Sequence, residues 1–477
     1  MSFHPLEEII HPRAIAVVGA SPAGRGSGFL SPLLKLGYQG DIYPVNPKYT
    51  EIMGLKTYPR VRDIPGPLDY VISSVPASQV LGMLEDCSEK GVKAVHLFTA
   101  RFSETGRKEA AELEQEILKK AREAGIRLIG PNCLGLYHPS EGISFNEDMP
   151  AKSGDAGLVS QSGGATHETV ALAVQRGVFF SKAISYGNAL DFNECDYLEY
   201  FEQDPETRVI MMYIEGVRDG QRFFNILHRV TATKPVIIVK GGRGQSGIRA
   251  TASHTGSLAG SMQVWQNMVR QTGAISAANL EELVDIAAAF YFLPPITERR
   301  VGIVGGGGGS SVLAADECEE AGLDVVPLPM EIREKMKATG SPIWDWISNP
   351  ADMSIRIDRE WDVGDMLELM AQSKSFDLLI TFIRGHFHSV EEMASVDNFL
   401  KPYRLGKLED KPLIAVMEEA RYSVGSNGRG NHVSTIEFME KVKSTLLAAG
   451  TPFYPNVGRA ARALSKMIDY YQRKKSR

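Results

Sequence analysis

Residues 14–28 read AIAVVGASPAGRGSG. The segment begins with a run of apolar residues of strand length, Ala14 to Val18, and continues directly into a turn rich in glycine and serine. A pattern with helical spacing follows the turn. A buried strand that passes through a tight turn into a helix is the repeating unit of parallel α/β sheets, so this segment predicts a doubly wound first domain.

The same unit recurs along the chain of 477 residues, which is too long for one hydrophobic core. Further short apolar runs rich in valine and isoleucine predict more parallel strands, including one at 323–329. A polar, glycine-containing connection and the later stretch FLPPITERR separate three series of such units. The sequence therefore predicts an α/β protein of three consecutive parallel-sheet domains, at residues 1–135, 150–295 and 298–470.

The composition argues against several classes of function. The formal net charge is -6, and lysine and arginine form no run before the terminal RKKSR, so we expect no nucleic-acid partner. No stretch approaches about 18 consecutive apolar residues, and the start MSFHPLEEII carries acidic residues where a signal peptide needs basic ones. The four cysteines include no C-x-x-C pair and predict neither a zinc site nor a disulfide framework. We expect a cytoplasmic protein with no membrane segment and no bound metal.

The turn after the first strand predicts a site for an anionic or polar ligand group, because backbone N–H groups at Gly19, Ala20 and Ser21 would precede a helix. The turn does not match G-x-G-x-x-G. The second strand closes with PVNPK, so Lys48 stands where a nicotinamide dehydrogenase needs an acidic residue. A lysine there favours a nucleotide with an additional phosphate, such as the 3′-phospho-ADP part of coenzyme A. A tight turn followed by a solvated lysine is the alternative.

A second candidate anion site lies in LVSQSGG, at 158–164. Ser162, Gly163 and Gly164 stand at the predicted start of a helix, whose dipole and free N–H groups attract phosphate. A plain N-cap by Ser162, worth about 1 kcal/mol, would explain the serine but not the glycine pair. The later run of glycines at 305–309 has no cation after it, so we interpret it as a flexible turn and assign it no ligand.

A polar loop after the strand PVIIVKGG carries His254 among small and hydroxylated residues, in TASHTGSLAGS at 251–261. A neutral imidazole attacks a phosphoryl group when an acceptor holds its other nitrogen and so fixes the tautomer. Glu215, which follows the strand VIMMYI, is a carboxylate suited to that role. The loop therefore suggests a phosphorylated histidine, with a purely structural histidine as the alternative.

Taken together, these motifs resemble those of the ADP-forming acyl-CoA synthetases, also called NDP-forming acetate–CoA ligases, which are relatives of the succinyl-CoA synthetase α subunit. The resemblance extends in order over nearly the whole chain. It rests on VVGASP, IYPVNPK, GPNCLG, GLVSQSGG, YIEG, VKGGR and SHTGSLAG.

The resemblance implies an α subunit with a Rossmann-like coenzyme A-binding domain, a flavodoxin-type domain like that of succinyl-CoA synthetase, and a flavodoxin-like ligase-associated domain. It implies that His254 is phosphorylated, that Glu215 orients it, and that the helix beginning at Ser162 receives the phosphohistidine. It also assigns coenzyme A binding to Gly19, Ala20, Ser21, Lys48, Val75 and Pro76.

The implied reaction is stepwise and reversible. Acyl-CoA and phosphate give an acyl phosphate and free coenzyme A, the acyl phosphate phosphorylates His254, and ADP then takes the phosphoryl group. No ATP-grasp module is visible in the chain, so we expect a separate ATP-grasp β subunit that holds ADP or ATP and Mg²⁺, in a heterodimer or an α2β2 tetramer. The acyl group, the preference between ADP and GDP, and the direction stay open. A non-catalytic regulatory protein that binds coenzyme A or acyl-CoA is the alternative function.

The stretch FTARFSETG, at 98–106, departs from the family pattern because Arg101 stands in the usual glycine position. In relatives this loop lies near the thioester end of coenzyme A. Arg101 is therefore a candidate contact for a carboxylate or hydroxyl of the acyl group. The alternative is an arginine that caps a surface turn in solvent.

Overall fold

The computed structural model describes residues 4–22, 28–249, 261–354, 361–383, 395–406, 408, 411–417 and 432–476. The chain forms two compact units, Met1–Leu283 and Val284–Arg477. Both are built from mostly parallel strands with helices between them, so the prediction of an α/β fold is confirmed. Within the described residues, no helix combines the length and the apolar character needed to cross a membrane.

The first sheet is parallel and fits the doubly wound pattern. The strands of this part of the chain are β1 Ala14–Val18, β2 Asp41–Val45, β3 Glu51–Ile52, β4 Leu55–Lys56, β5 Tyr70–Ser73, β6 Ala94–Leu97 and β7 Arg127–Ile129. Its helices are α1 Glu7–Ile10, α2 Leu30–Leu36, α3 Val80–Glu89 and α4 Lys108–Glu123. The sheet order is β2-β1-β5-β6-β7, while β3 and β4 form a separate hairpin. The strand order thus reverses between β1 and β5, which is where open α/β sheets bind ligands.

The second sheet belongs to the same unit. Its strands are β8 Gly135–Tyr137, β9 Ala156–Ser160, β10 Phe180–Ser185, β11 Val209–Ile214, β12 Val236–Lys240 and β13 Ile275–Ala277. The helices are α5 Gly163–Gln175, α6 Glu194–Gln203, α7 Gly220–Thr231 and α8 Met262–Thr272. The order is β13-β12-β11-β9-β10-β8, and only β8 runs antiparallel to its neighbour. The sequence did not predict β8, which is too short to give a strand pattern.

The third sheet lies in the second unit and is parallel throughout, in the order of the chain. Its strands are β14 Val301–Val304, β15 Leu378–Phe382, β16 Leu413–Val416 and β17 Phe453–Tyr454. Helix α9, Leu280–Phe292, spans the limit between the two units. The remaining helices are α10 Gly308–Glu320, α11 Met330–Ala338, α12 Val363–Gln372, α13 Val396–Leu400, α14 His432–Ala448 and α15 Val457–Lys475.

Burial explains why the apolar runs form these strands. Every residue of β1, β9 and β12 is buried. Strands of a parallel sheet are covered by helices on both faces, so they read as continuous apolar runs rather than as alternating ones. The continuous apolar runs of β1, β9 and β12 therefore form strands as the sequence predicted.

One expected strand is wrong. At 323–329 the structure has no strand, only an isolated bridge between Arg300 and Asp324. Pro327 and Pro329 have no backbone N–H to donate to a neighbouring strand, so this apolar run cannot extend a sheet ladder.

Candidate functional site

Gly19 brings the ends of β1 and β5 together. Its φ is +86°, and a Cβ built on it would lie 2.8 Å from Ser74 Oγ and 3.3 Å from Val75 Cγ1. A side chain is therefore excluded both by the left-handed backbone and by the neighbouring strand end. Val75 is half-buried beside the turn, and Pro76 follows it at the surface. The structure thus places three of the predicted coenzyme A residues at the reversal point of the sheet.

Asn46 connects the other predicted coenzyme A residues. Its side-chain amide donates to the carbonyl of Ala20 over 2.7 Å, and its Oδ1 accepts from the backbone N–H of Lys48 over 3.0 Å. Lys48 is exposed, and Ser21 is half-buried next to Ala20. Sequence reasoning missed Asn46, although an asparagine in a turn after a strand is a common signal for such side-chain bonds.

The loop after β6 lies against the same edge of the first sheet. Thr99 Oγ1 donates to the carbonyl of Val75 over 2.7 Å. Arg101 is exposed and has a φ of +81°, a conformation that costs a non-glycine residue roughly 1–2 kcal/mol. Its backbone N–H donates to Glu104, and the N–H of Phe102 donates to both Glu104 oxygens over 3.1 Å. Glu104 therefore stabilises the left-handed turn that presents Arg101.

Asn188 joins this loop to the second sheet. It lies in the turn after β10, and its side-chain amide donates to Glu104 Oε2 over 2.7 Å. Its carbonyl accepts from Arg218 Nη2 over 2.7 Å, and its backbone N–H donates to Pro131 over 3.0 Å. The loops at the carboxyl ends of β6, β7, β10 and β11 are therefore in direct contact. This contact was not predicted, because it joins residues that are far apart in the sequence.

The start of α5 is capped by Ser162, whose Oγ accepts from the backbone N–H of Ala165 over 3.3 Å. A Cβ on Gly163 would lie 2.9 Å from Leu134 Cγ, so close packing excludes a side chain there. Gly164 is exposed, with only Ser162 Oγ near its Cβ position, at 3.9 Å. The cap explains Ser162 and packing explains Gly163, whereas neither explains Gly164. The helix does contain His167, as the sequence predicted.

Glu215 follows β11, between the ends of β9 and β12, and is 5% exposed. Its backbone N–H and that of Gly216 both donate to Gln161 Oε1, over 2.7 Å and 3.0 Å. Lys240 Nζ donates to the Glu215 carbonyl over 2.6 Å. The hydroxyl of Tyr213 donates to Glu215 Oε1 over 3.4 Å. Side chains from both neighbouring strands therefore hold the main chain of Glu215.

The electrostatics of this site follow from burial. Desolvation lowers the pKa of Lys240, and the nearby Glu215 carboxylate partly offsets that shift. Desolvation and the same carboxylate raise the pKa of Tyr213 to about 12. Tyr213 is therefore a neutral hydrogen-bond donor to Glu215 over the physiological range.

His254 lies outside the described residues, as does the rest of 250–260. The segment that leads towards it leaves β12 at Gly241 and is helical at 245–249, so it is not the uninterrupted polar loop that the sequence suggested. A Cβ on Gly241 would lie 3.2 Å from Glu215 Cγ and 2.8 Å from the Tyr213 hydroxyl, so this segment begins directly beside the Glu215 side chain. The contact between His254 and Glu215 stays a prediction.

Two family models match the chain. Residues 13–139 match a CoA binding domain, and residues 153–290 match a succinyl-CoA ligase like flavodoxin domain. These ranges contain the first and second sheets.

Similar proteins cover much or all of the chain. An acetate–CoA ligase [ADP-forming] II subunit alpha from Pyrococcus furiosus is 38% identical over 79% of this chain and 81% of that protein. An acetate–CoA ligase [ADP-forming] from Methanocaldococcus jannaschii is 38% identical over 73% of this chain but only 49% of its own length, so the chain spans about half of that relative. A solved structure of a dinucleotide forming acetyl-coenzyme A synthetase 1 from Ca. Korarchaeum cryptofilum, in complex with phosphate and ADP, is 30% identical, with a TM-score of 0.81 over 98% of both chains.

Proposed function

The chain belongs to the family of ADP-forming acetate–CoA ligases, and we propose from this premise that it is the α subunit of an ADP-forming acyl-CoA synthetase. As an acid–thiol ligase it would interconvert acyl-CoA, ADP and phosphate with a carboxylic acid, ATP and coenzyme A. The single observation that carries the proposal is the buried Glu215, which both neighbouring strands hold beside the origin of the loop with His254.

The proposed chemistry has three transfers. A phosphate oxygen attacks the thioester carbonyl, the C–S bond breaks, and coenzyme A leaves with an acyl phosphate remaining. An imidazole nitrogen of His254 then attacks the phosphorus, and the carboxylate of the acid leaves. Finally an oxygen of the ADP β-phosphate takes the phosphoryl group, which breaks the N–P bond and restores the neutral histidine. Each transfer replaces one reactive bond by another, from thioester to acyl phosphate to phosphohistidine, so little free energy is lost in any step and every step is reversible.

Glu215 has the orienting role in this scheme. A carboxylate that accepts from one ring N–H leaves the other nitrogen unprotonated and able to attack. The main chain of Glu215 is fixed, and the Tyr213 hydroxyl donates to its Oε1, so both the backbone and the carboxylate of this residue are held.

We place coenzyme A on the first sheet, with Gly19, Ala20, Ser21, Lys48, Val75 and Pro76 as contacts. The approach of Gly19 to Val75 and the link from Ala20 to Lys48 through Asn46 support this placement. The lysine would pair with the additional phosphate of the nucleotide. We place the phosphoryl group at the start of α5, with Ser162, Gly163 and Gly164, where first-turn N–H groups lack partners within the helix.

The acyl group would lie between these two sites. The contact between Glu104 and Asn188 brings the two loop clusters together and supports that position. Arg101, which Glu104 holds in a left-handed turn at this junction, is our candidate contact for a carboxylate or hydroxyl on the acyl group.

A partner subunit completes the proposal. The relative from Pyrococcus furiosus is named a subunit alpha, which supports a second subunit. We propose an ATP-grasp β subunit that holds ADP or ATP with Mg²⁺, in a heterodimer or an α2β2 tetramer. Among the described residues no group of three or more side chains could hold a metal ion, and we derive no step on this chain through one. Three domains, at 1–135, 150–295 and 298–470, and a cytoplasmic location remain part of the proposal.

The experiment is to express the full chain with an ATP-grasp subunit and to measure ATP formed from acyl-CoA, ADP and phosphate. We expect ATP and coenzyme A in equal amounts from the parent assembly. The His254→Ala assembly should form no ATP and release at most about one coenzyme A per site, because only the first transfer proceeds without the histidine. Binding of acyl-CoA without any phosphate-dependent release of coenzyme A would contradict the proposal and favour the regulatory, non-catalytic alternative.

A further inference from the structure

The main chain of Glu215 is held from both sides by side chains that the proposed chemistry does not use. Its strand β11 pairs with β9 on one side and with β12 on the other. Gln161 follows β9 and accepts from the N–H groups of Glu215 and Gly216, over 2.7 Å and 3.0 Å. Lys240, the last residue of β12, donates to the Glu215 carbonyl over 2.6 Å. The two peptide groups around Glu215 are thus fixed by two different strands.

Lys240 also contacts the first residue of the segment that leads from β12 towards His254. Its ammonium group donates to the carbonyl of Gly241, the first residue after β12. One side chain therefore binds both the glutamate and the origin of the loop. Movement of either one relative to the other would break a hydrogen bond of the ammonium group.

The location of this ammonium group costs free energy. Lys240 is only 6% exposed, and its burial lowers its pKa. A buried charge needs hydrogen-bond partners, and the main-chain carbonyls of Glu215 and Gly241 provide them here. The nearby Glu215 carboxylate also favours the charged lysine electrostatically. An apolar side chain at the end of β12 would avoid that cost, so the lysine calls for a reason beyond packing.

Gln161 connects Glu215 to the other proposed element. It lies between Ser160, the last residue of β9, and Ser162, the N-cap of α5. Its amide oxygen therefore fixes the distance from Glu215 to the turn where we place the phosphoryl group.

We propose that Lys240 and Gln161 are positioning residues that hold Glu215 at a fixed place between the end of β12, from which the chain leads to His254, and the start of α5. The inference rests on the proposed function, because it takes Glu215 to orient His254. Neither residue needs to touch the substrate. Their effect is on the fraction of molecules in which the glutamate is placed to hold the imidazole.

Lys234 provides a matched control for Lys240. It precedes the opposite end of β12, and its Nζ also donates to two main-chain carbonyls, those of Phe201 at 2.7 Å and Asp204 at 2.6 Å. Burial lowers its pKa as well. Lys234→Met and Lys240→Met therefore remove the same kind of group near opposite ends of one strand, but only Lys240 lies at the proposed site.

The experiment follows phosphorylation of the full chain, assembled with its ATP-grasp partner subunit, from acyl-CoA and labelled inorganic phosphate without nucleotide. Thermal unfolding is measured in parallel. We expect Lys240→Met to lower the rate constant at saturating substrates at least tenfold, with little change in KM for acyl-CoA. Lys234→Met should remain within twofold of the unsubstituted chain. Gln161→Met keeps the side-chain length but removes the acceptor, so its phosphorylation rate constant should also fall at least tenfold. This variant replaces Lys240→Met as the test if Lys240→Met does not fold.

A double substitution separates positioning from direct participation. In a Glu215→Gln background, Lys240→Met should change the remaining rate less than twofold, because its route of action is already lost. A further tenfold fall of the phosphorylation rate in that background would overturn the inference. Equal phosphorylation rates per folded molecule for Lys240→Met and Lys234→Met would overturn it as well. An unsubstituted chain that is never labelled would instead contradict the proposed function, so the two failures are distinguishable.

Discussion

At the scale of single residues, the proposed site combines a buried carboxylate, fixed through its main chain, with an exposed arginine in a left-handed turn. The sequence identified Glu215 as a carboxylate at the end of a predicted strand, and Arg101 because it stands where the resembled family has a glycine. They could not identify Gln161, Asn188 or Lys240, whose roles come from contacts across strands. A polar residue at the end of a buried strand was the only available signal for these three.

Glu215→Gln tests the orienting carboxylate. The amide can still accept from the Tyr213 hydroxyl, so we expect a folded protein with a nearly unchanged melting temperature. Loss of the charge should lower the rate of phosphorylation about a hundredfold, in the range of a lost acid–base group. Quench-flow labelling with inorganic phosphate measures the rate. A variant that is labelled at the rate of the parent chain would remove Glu215 from the mechanism.

Arg101→Gly tests the proposed acyl contact and also the turn. Glycine adopts the positive φ of position 101 without strain, which stabilises the folded state. Glycine also gives the unfolded chain more conformational freedom, which offsets part of that effect, so the free energy of unfolding should rise by up to about 1 kcal/mol. The ratio of kcat/KM for an acid with a second carboxylate or a hydroxyl, relative to an unsubstituted acid of equal length, should fall at least tenfold.

Arg107→Gly is the control for that experiment, because Arg107 lies in the same loop with an extended backbone, φ -87°. It should leave the acid preference unchanged and lower stability slightly. The same preference in the parent and in Arg101→Gly would restore the interpretation of Arg101 as a solvated surface residue.

His96 gives a pH-dependent prediction. Burial lowers its pKa to about 4, below the ordinary value of 6.5, so the folded protein holds it neutral while the unfolded chain binds a proton. The unfolded state therefore gains protons as the pH falls from 6.5 towards 4, and the free energy of unfolding should fall by up to about 1.4 kcal/mol per pH unit for this residue.

His96→Gln removes that proton uptake. We expect thermal unfolding of the parent chain to shift more between pH 7.5 and 5.0 than that of the variant. Equal shifts would show that His96 makes no contribution to the acid sensitivity.

At the scale of elements, the apolar runs predicted strands well where both faces of a sheet are covered, as in β1, β9 and β12. They failed at 323–329, where prolines remove the N–H groups that a ladder needs. They also missed β8, a short antiparallel edge strand that depends on pairing with β10. Helix α5 began where its serine and glycine pair predicted.

Ser162→Ala tests whether the start of α5 does more than begin a helix. Loss of the cap should cost about 1 kcal/mol of stability. If the turn also binds the phosphoryl group, KM for phosphate should rise several-fold beyond what the stability change explains. Ser395→Ala removes the corresponding cap of α13 and should leave KM unchanged. An equal KM for phosphate in Ser162→Ala and Ser395→Ala would show that Ser162 only caps the helix.

At the scale of the whole molecule, the α/β class and the family could be recognised from the sequence, because ordered motifs extend over nearly the whole chain. The contact between the loops at the carboxyl ends of the first two sheets could not be predicted from the sequence, because Glu104 and Asn188 are 84 residues apart. That contact leads us to place one reaction between coenzyme A on the first sheet and a phosphohistidine beside the second.

The central claim is that His254 carries the phosphoryl group. The most direct measurement is mass spectrometry of the full chain, with its partner subunit, after incubation with acyl-CoA and phosphate and no nucleotide. The account predicts one acid-labile phosphoryl group on His254 that disappears on addition of ADP. A phosphoryl group on another residue, or release of coenzyme A without any phosphorylated histidine, would contradict it.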